Sequence, residues 1–300
     1  MSKKRIVDFV VIGAQKAGST FLLQCLEEHP EVFMVHWEVP FFQDPDYAAD
    51  KVPQLEEMFR GQESKRARGL KRPNYLGDPA VPGRIARHYP DVKLIAVLRH
   101  PVERTVSAYF HYMQNGFLPV SPIETGLRRL LDQDTDSRFP NASQVIEFSR
   151  YGEHLERYLR HFSRDQMLIA RFEEIRDSPL DLIRRSCEFI GVASDYQPER
   201  TERRPMASIY SIPRLRLLAT VRPVISTFYH DRRRMRYRGW TGKQLSRIIS
   251  RVDRSVLARL FPNRKPQLSQ DLQDRLNDAF KDDTNHLREL LNDSLPGWPG

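Results

Sequence analysis

The residues best suited to chemistry lie in one stretch near the start of the chain, between Gly13 and Thr20. This stretch reads Gly-Ala-Gln-Lys-Ala-Gly-Ser-Thr, and it follows an apolar run at 6–12 that is typical of a buried strand. Three leucines then recur at helical spacing, so we predict a helix that begins at Ser19. A glycine-bounded turn between a strand and a helix N-terminus predicts an anion-binding loop, because backbone N–H groups and the helix dipole point into the turn.

The side chains of this loop distinguish it from a nucleotide-hydrolase loop. A Walker loop places its lysine directly after the second glycine, whereas here Ser19 follows Gly18 and the lysine lies inside the loop at Lys16. Lys16 supplies a mobile charge, and the two hydroxyls supply further hydrogen-bond donors. The predicted anion contacts are therefore Gln15, Lys16, Ala17, Gly18, Ser19 and Thr20.

The ends of two later predicted strands carry basic residues where a metal-dependent enzyme would carry an acid. The apolar run 92–98 is followed by Arg99, and the run 167–170 is followed by Arg171. Nucleotide hydrolases place an aspartate at such a strand end to hold magnesium. We therefore predict a phosphorylated ligand that is bound without an obligatory metal.

These motifs resemble those of sulfotransferases that use 3′-phosphoadenosine-5′-phosphosulfate (PAPS), and they are most similar to the heparan-sulfate and carbohydrate branch. The segment 13–20 resembles the 5′-phosphosulfate loop of that family, and 98–109 resembles its 3′-phosphate motif. The resemblance implies that Arg99 and Ser107 hold the 3′-phosphate. It also implies an α/β fold with a mostly parallel central sheet, flanking helices and a P-loop-like nucleotide site. PAPS would be the donor, adenosine 3′,5′-bisphosphate the product, and a hydroxyl, less favourably an amine, the acceptor.

Two further segments carry the residues that the resemblance implies for transfer. The segment 36–42 resembles the family motif in which a glutamate is the general base, and this glutamate falls on Glu38. We expect its aromatic neighbours to desolvate it, because a desolvated carboxyl holds its proton more tightly. The segment 70–75 resembles the family's lysine-bearing strand end, which makes Lys71 the residue beside the transferring group. Trp37, Leu70 and Arg72 depart from the family pattern, and His36 and His111 remain alternative bases.

The composition favours a globular protein with anionic partners. The chain has 300 residues, a net charge of +9 and a sequence pI near 9.6. A nucleotide donor, an acidic acceptor and a membrane surface all fit this charge, whereas we do not expect nucleic acid. The Arg/Tyr/Trp segment 229–240 is interpreted as a solvated helix face, with a sulfated glycan, an anionic lipid headgroup or nucleic acid as the alternative ligands. Cys25 and Cys187 are expected to be buried thiols, and the short apolar runs predict a cytoplasmic protein without a membrane span.

We predict one sulfotransferase domain over residues 1–300, with variable segments at about 117–149 and 199–265 on the acceptor side. The acceptor itself is not specified by the sequence, and a glycan, a lipid and a small metabolite all remain candidates. Two other functions stay open. A P-loop kinase or NTPase would show magnesium-dependent ATP turnover, and a non-catalytic polyanion-binding module would bind the donor without transferring its sulfonate.

Overall fold

The structure is a computed structural model of the 300-residue chain, and it describes residues 6–199, 208–230 and 232–300. The arginines at 200, 203 and 204, which belong to the predicted variable segment 199–265, lie outside the described residues. Within these ranges no helix is long and apolar enough to cross a membrane.

The described residues form seven strands and thirteen α-helices. The strands are β1 Phe9–Gly13, β2 Val32–Glu38, β3 Ala67–Lys71, β4 Lys93–Leu98, β5 Met167–Arg171, β6 Ser226–Tyr229 and β7 Arg234–Tyr237. The helices are α1 Ser19–Glu27, α2 Val52–Glu56, α3 Val81–His88, α4 Pro101–Asn115, α5 Ile123–Leu131, α6 Gln144–Glu147, α7 Tyr151–Leu159, α8 Phe172–Asp177, α9 Pro179–Ile190, α10 Ile212–Ile225, α11 Gly239–Val252, α12 Ala258–Leu260 and α13 Gln270–Leu291.

The chain divides into two compact units. Unit 1 consists of residues 1–100, 150–205 and 283–298, and unit 2 consists of residues 101–149, 206–282 and 299–300. Helix α13 crosses from one to the other. The single domain predicted over 1–300 stays a prediction.

Unit 1 is built on a five-stranded sheet with the order β2-β3-β1-β4-β5, in which every neighbouring pair is parallel. The predicted α/β class with a mostly parallel central sheet is therefore confirmed. Parallel strands end at the same edge of a sheet, and ligands of such folds bind beyond that edge. The loop after β1 and the strand ends that carry Lys71 and Arg99 thus belong to one edge of this sheet.

The two faces of the sheet pack into separate apolar clusters because side chains alternate along each strand. From β1, Val10 and Ile12 contribute to one cluster with α3 and α7, while Phe9 and Val11 contribute to the other with α1 and α9. The second cluster also contains both cysteines, which are buried free thiols as predicted. Helices therefore cover both faces of the sheet.

Unit 2 is mostly helical, with α4, α5, α6, α10 and part of α13 around a third apolar cluster. The predicted variable segment 117–149 contains two helices, α5 and α6. The interpretation of 229–240 as a helix face is wrong for most of that segment. Strands β6 and β7 pair as an antiparallel hairpin there, and α11 begins only at Gly239.

Candidate active site

The glycines at 13 and 18 allow the loop between β1 and α1 to pack closely against neighbouring side chains. Gly18 adopts a left-handed conformation with φ of 92°, and a Cβ atom there would lie 2.5 Å from the Cδ1 atom of Ile175. At Gly13, a Cβ atom would lie 2.6 Å from the Cβ atom of Leu76. Residues with larger side chains would therefore displace the loop from its neighbours.

The loop delivers backbone donors to one point. Its first half is fixed to the sheet because the Ala14 N–H donates to the Val97 carbonyl over 2.8 Å. The N-cap of α1 is Gly18, which has no side chain to accept a hydrogen bond from the first helical turn. The Phe21 N–H donates to the Gly18 carbonyl over 2.9 Å, whereas helix geometry leaves the N–H groups of Ser19 and Thr20 without a partner four residues earlier, so these two are candidate donors for an anion at the positive end of the helix. Ser19 is buried at this point, and Thr20 is partly exposed.

Lys71, at the end of β3, reaches the start of this helix. Its Nζ atom donates to Oγ1 of Thr20 over 2.9 Å, and only 2% of its side chain is exposed. Burial lowers the pKa of the Lys71 ammonium from its ordinary value of 10.5, and the nearby Glu38 carboxylate partly opposes this shift. The lysine predicted to lie beside the transferring group thus contacts the loop predicted to hold the donor.

Glu38 lies beside Lys71 because of the register between two parallel strands. The register shifts between Met34 and Glu38, so that Glu38 of β2 is opposite Lys71 of β3. One carboxylate oxygen of Glu38 lies 3.6 Å from Lys71 Nζ, and the other accepts a hydrogen bond from Arg72 Nη1 over 2.8 Å. The carboxylate is thus held between two cations.

The expected desolvation of Glu38 is wrong. Its side chain is 42% exposed, and that of its neighbour Trp37 points largely into solvent. Two cations, and not the expected aromatic side chains, therefore form the main surroundings of this carboxylate. The alternative base His36 is exposed, and its Nδ1 atom is hydrogen-bonded to Oε1 of Glu27.

Arg72 is a site residue that the sequence did not identify. Its Nη1 atom binds Glu38 and its Nε atom donates to Oε1 of Gln43 over 2.8 Å, so it fixes the carboxylate to the following turn. The available signal was the departure from the family pattern, since a cation replaces a hydroxyl residue directly after Lys71. A cation at that strand end complements a carboxylate on the neighbouring strand.

Arg99, which follows β4, contacts the loop from its other side. Its Nη1 atom donates to the Lys16 carbonyl over 3.3 Å, and its guanidinium lies 4.5 Å from the centre of the Phe172 ring. Within the loop, the Gln15 side chain donates to the side-chain oxygen of Asn74 over 3.1 Å. Loop, Lys71, Glu38 and Arg99 therefore come together in unit 1.

Ser107 belongs to unit 2, where it is buried in α4. Its Oγ atom lies 3.4 Å from the Oγ atom of Ser208, whose own hydroxyl donates to the Ser107 carbonyl. Its predicted contact with a 3′-phosphate stays a prediction. His111 of the same helix contacts the side chain of Asn115.

Chemically, the arrangement in unit 1 offers donors and positive charge for an anion, and a carboxylate acceptor close by. Such a combination suits the transfer of an anionic group to a hydroxyl, which requires charge stabilisation at the leaving group and a base at the nucleophile. Among residues 6–199, 208–230 and 232–300 no cluster of three or more His, Cys, Asp or Glu side chains is arranged to hold a metal ion. Metal-independent transfer stays a prediction.

Comparison with known proteins agrees with the motifs. The family model described as "Sulfotransferase domain" matches residues 7–210. Mouse heparan sulfate glucosamine 3-O-sulfotransferase 3A1 is 30% identical over 190 residues, which cover 63% of this chain and 47% of that protein. The bifunctional heparan sulfate N-deacetylase/N-sulfotransferase 1 of Caenorhabditis elegans is 28% identical over 184 residues, or 59% and 21% of the two chains. The chain thus spans about half the length, or less, of these relatives.

The fold has a similar counterpart among solved structures. The crystal structure of a sulfotransferase from Alicyclobacillus acidocaldarius superposes with a TM-score of 0.67, at 21% identity, over 97% of this chain and 98% of that one. This likeness concerns the fold, whereas the family model covers more than half of the sequence, including the loop, Glu38, Lys71, Arg99 and Ser107. The chain therefore belongs to the sulfotransferase domain family.

Proposed function

We propose that this protein transfers a sulfonate group from PAPS to a hydroxyl of a glycan, releasing adenosine 3′,5′-bisphosphate. The observation that carries the proposal is the position of Lys71. One buried ammonium contacts Thr20 of the anion-binding loop and lies 3.6 Å from Glu38. It therefore joins the place where a leaving phosphate would gain charge to the place where an acceptor would lose its proton.

The donor would be held by the loop and by Arg99. The 5′-phosphosulfate would accept hydrogen bonds from the N–H groups at the start of α1, from the hydroxyls of Ser19 and Thr20, and from Lys16. Arg99 supplies a planar, permanently charged group whose fork matches a phosphate, which supports its assignment to the 3′-phosphate. Gln15, Ala17 and Gly18 would contribute through the backbone and shape of the loop, and Ser107 would complete the 3′-phosphate contacts.

Transfer would proceed by in-line displacement at sulfur. The acceptor oxygen forms the new O–S bond, the bond between sulfur and the 5′-phosphate oxygen breaks, and its electron pair stays on the departing phosphate. Glu38 accepts the proton of the acceptor hydroxyl. Lys16 and Lys71 stabilise the charge that develops on the phosphate and on the sulfonate oxygens, an effect worth about 3–4 kcal/mol for one well-placed donor.

The glycan acceptor is the most specific part of the proposal. It is supported by relatives whose names describe sulfation of heparan sulfate. An exposed carboxylate between two cations also suits an acceptor that approaches from solvent, because a polymer cannot enter a closed pocket.

Two measurements test the proposal. Titration calorimetry with adenosine 3′,5′-bisphosphate tests the donor site, and incubation with radiolabelled PAPS and a panel of glycans, lipids and phenols tests transfer. We expect saturable nucleotide binding without added metal, and label in the glycans. Binding without transfer to any acceptor would favour a polyanion-binding module, and absence of nucleotide binding would contradict the proposal as a whole. Magnesium-dependent ATP turnover would favour the kinase or NTPase alternative.

A further inference from the structure

The positive charge of the chain is concentrated in one segment of unit 2. Residues 208–265 contain fifteen Lys or Arg and two Asp or Glu, a formal charge of +13, whereas the whole chain carries +9. The remainder of the chain is therefore net negative. Of the two acids, Asp253 is buried and forms a two-pronged ion pair with Arg214, at 2.9 and 2.7 Å. A charge of this size on a short segment predicts a large anionic partner.

The same segment exposes most of the large apolar side chains found at the surface. Of twelve exposed large apolar residues among those described, nine lie between residues 217 and 260. They are Leu217, Val224, Tyr237, Trp240, Leu245, Ile248, Val252, Val256 and Leu260. Trp240 is 73% exposed, Leu260 66% and Ile248 56%. Single exposed apolar residues are ordinary, but a contiguous group marks an interaction site.

Helix α11 separates these residues into stripes. Leu245, Ile248 and Val252 recur at spacings of three and four, so they form one exposed apolar stripe. Lys243, Arg247 and Arg251 recur at a spacing of four and form a basic stripe beside it. A π-helical turn at Asp253–Leu257 and helix α12 then prolong the apolar side with Val256 and Leu260. These eight residues, with Trp240, are called the basic apolar surface.

The opposite side of α11 is fixed to unit 2. Gly242 packs against the end of α10 so closely that a Cβ atom would lie 2.5 Å from the Ile225 carbonyl oxygen. The ion pair between Arg214 of α10 and Asp253 secures the other end of α11. The helix therefore cannot turn its apolar stripe inward without breaking a buried ion pair and a close backbone contact, so the stripe stays exposed.

We infer that the basic apolar surface binds an anionic phospholipid membrane as a peripheral, in-plane helix. Helices that lie in a membrane interface combine an apolar stripe with Lys and Arg, low overall hydrophobicity and an aromatic residue at headgroup depth. Lys243, Arg247 and Arg251 attract the anionic headgroups while their long stems cover apolar surface. Trp240 and the apolar stripe enter the boundary between headgroups and acyl chains. This activity is separate from the proposed sulfonate transfer.

The two other occupants of such a surface fit less well. A soluble sulfated polysaccharide would satisfy the arginines but would leave Trp240, Ile248, Val252 and Leu260 in water, because it has little apolar surface to offer. A second copy of the chain would cover the apolar stripe, but it would bring two segments of +13 together. An anionic lipid surface satisfies both requirements at once.

Vesicle flotation tests the inference with the full chain. The vesicles contain phosphatidylcholine alone or with about one third phosphatidylglycerol, at about 0.15 M salt. We expect binding to the anionic vesicles and little binding to the neutral ones. In a W37F background, brominated acyl chains should quench the emission of Trp240, and the W37F/W240F variant should show no such quenching, because Trp298 is buried.

Two pairs of variants separate the apolar from the electrostatic contribution. Each double variant changes two exposed residues of α11: I248S/V252S removes apolar side chains, and R247Q/R251Q removes charges. Exposed residues of unit 1 supply the matched controls, which are L180S and R60Q/R66Q. We expect the arginine variant to lower the partition coefficient about thirtyfold, at roughly fivefold for each basic residue near an anionic surface. The apolar variant should lower it about tenfold or more and abolish quenching. The controls should bind as the wild type does, and circular dichroism verifies folding.

Each other outcome contradicts the inference. If the wild-type chain does not float with the anionic vesicles, the inference is wrong. Binding that depends on the arginines but not on Ile248 and Val252, without quenching, shows simple polyanion attraction, as a soluble glycan would also produce. Concentration-dependent dimerisation that shields Trp240 from a soluble quencher identifies a second copy as the occupant. Retained or lost sulfonate transfer in solution has no bearing on these results, so the two proposals fail independently.

Discussion

The anion-binding loop and the carboxylate between two cations are neighbours on one sheet edge, but they are built differently. The loop obtains its shape from the backbone, with Gly18 at φ of 92° and Gly13 against Leu76. The environment of Glu38 depends on side chains, Lys71 and Arg72, that reach it from the adjacent strand. A backbone site tolerates few substitutions but can be recognised from sequence, whereas a side-chain site can be rebuilt with other residues.

This difference also separates the two chemical tasks. Donor binding is assigned to the loop, and proton removal is assigned to Glu38, with Lys71 in contact with both. If the division is correct, variants on one side should change nucleotide affinity, and variants on the other should change turnover.

The largest effect is expected for E38Q. Because glutamine cannot accept the acceptor's proton, turnover should fall about a thousandfold, the usual contribution of a general base. Affinity for adenosine 3′,5′-bisphosphate should remain within about twofold, since Glu38 contacts the lysine and not the nucleotide-binding backbone. Steady-state kinetics and calorimetry measure the two quantities. E57Q, a change at another exposed surface glutamate, is the control. Wild-type turnover by E38Q would show that Glu38 is not the base.

K16A should lower both turnover and nucleotide affinity. Removing the loop's only ammonium should lower turnover about a hundredfold or more, because the departing phosphate loses a charged donor. Nucleotide affinity should fall about tenfold, the value of one charge-assisted hydrogen bond. Exposed Lys51 supplies the control K51A. If K16A lowered turnover without lowering nucleotide affinity, the Lys16 ammonium would not contribute to donor binding.

R72Q should have a smaller effect, and on turnover alone. Arg72 orients the Glu38 carboxylate through a bond of 2.8 Å and links it to Gln43, so its loss should lower kcat about tenfold. The partial exposure of Glu38 keeps the effect modest. R66Q, in a more exposed pair with Glu31, is the matched control. A rise in KM for PAPS without a fall in kcat would instead show that Arg72 contributes to donor binding.

The smallest effect is a shift in pH dependence. Burial lowers the pKa of Lys71, so the rate should fall as the pH rises through a value below 10.5, when the ammonium loses its proton. The unfolded chain binds that proton more tightly than the folded one, so this residue makes stability increase with pH between the lowered pKa and 10.5. Rate profiles and urea midpoints of wild type and K71M measure both. An unchanged alkaline limb in K71M would assign that limb to another group.

Much of unit 1 was predictable because its signals are local. Continuous apolar runs predicted the buried strands, and β4 and β5 occur where the runs 92–98 and 167–170 lie. The glycines at 13 and 18 predicted the loop between β1 and α1. Register is not local, so the sequence could not reveal the register shift that aligns Glu38 with Lys71, nor the role of Arg72. The contact of Arg99 with the loop likewise depends on the neighbouring positions of β1 and β4.

Unit 2 was less predictable for a different reason. Five of the twelve residues in the segment 229–240 are arginine. Polar and apolar residues alternate only over 234–238, and so short a run is close to the lower limit of what indicates a strand. Strands β6 and β7 nevertheless pair, with arginine guanidinium groups over aromatic rings, such as Arg232 over Phe228 at 4.4 Å. Cation–π contacts of this kind replace the apolar packing that sequence patterns detect.

The two free cysteines have a practical consequence. Burial, reinforced by nearby carboxylates, raises the pKa of the Cys25 thiol to about 12 and that of Cys187 to about 11, and both thiols lie where α1 packs against α9. Buried thiols with raised pKa values react only after local unfolding exposes them, here by separation of α1 from α9. The alkylation rate at Cys25 therefore measures how often α1, which follows the anion-binding loop, detaches from α9. A bound nucleotide that stabilises α1 should slow the reaction.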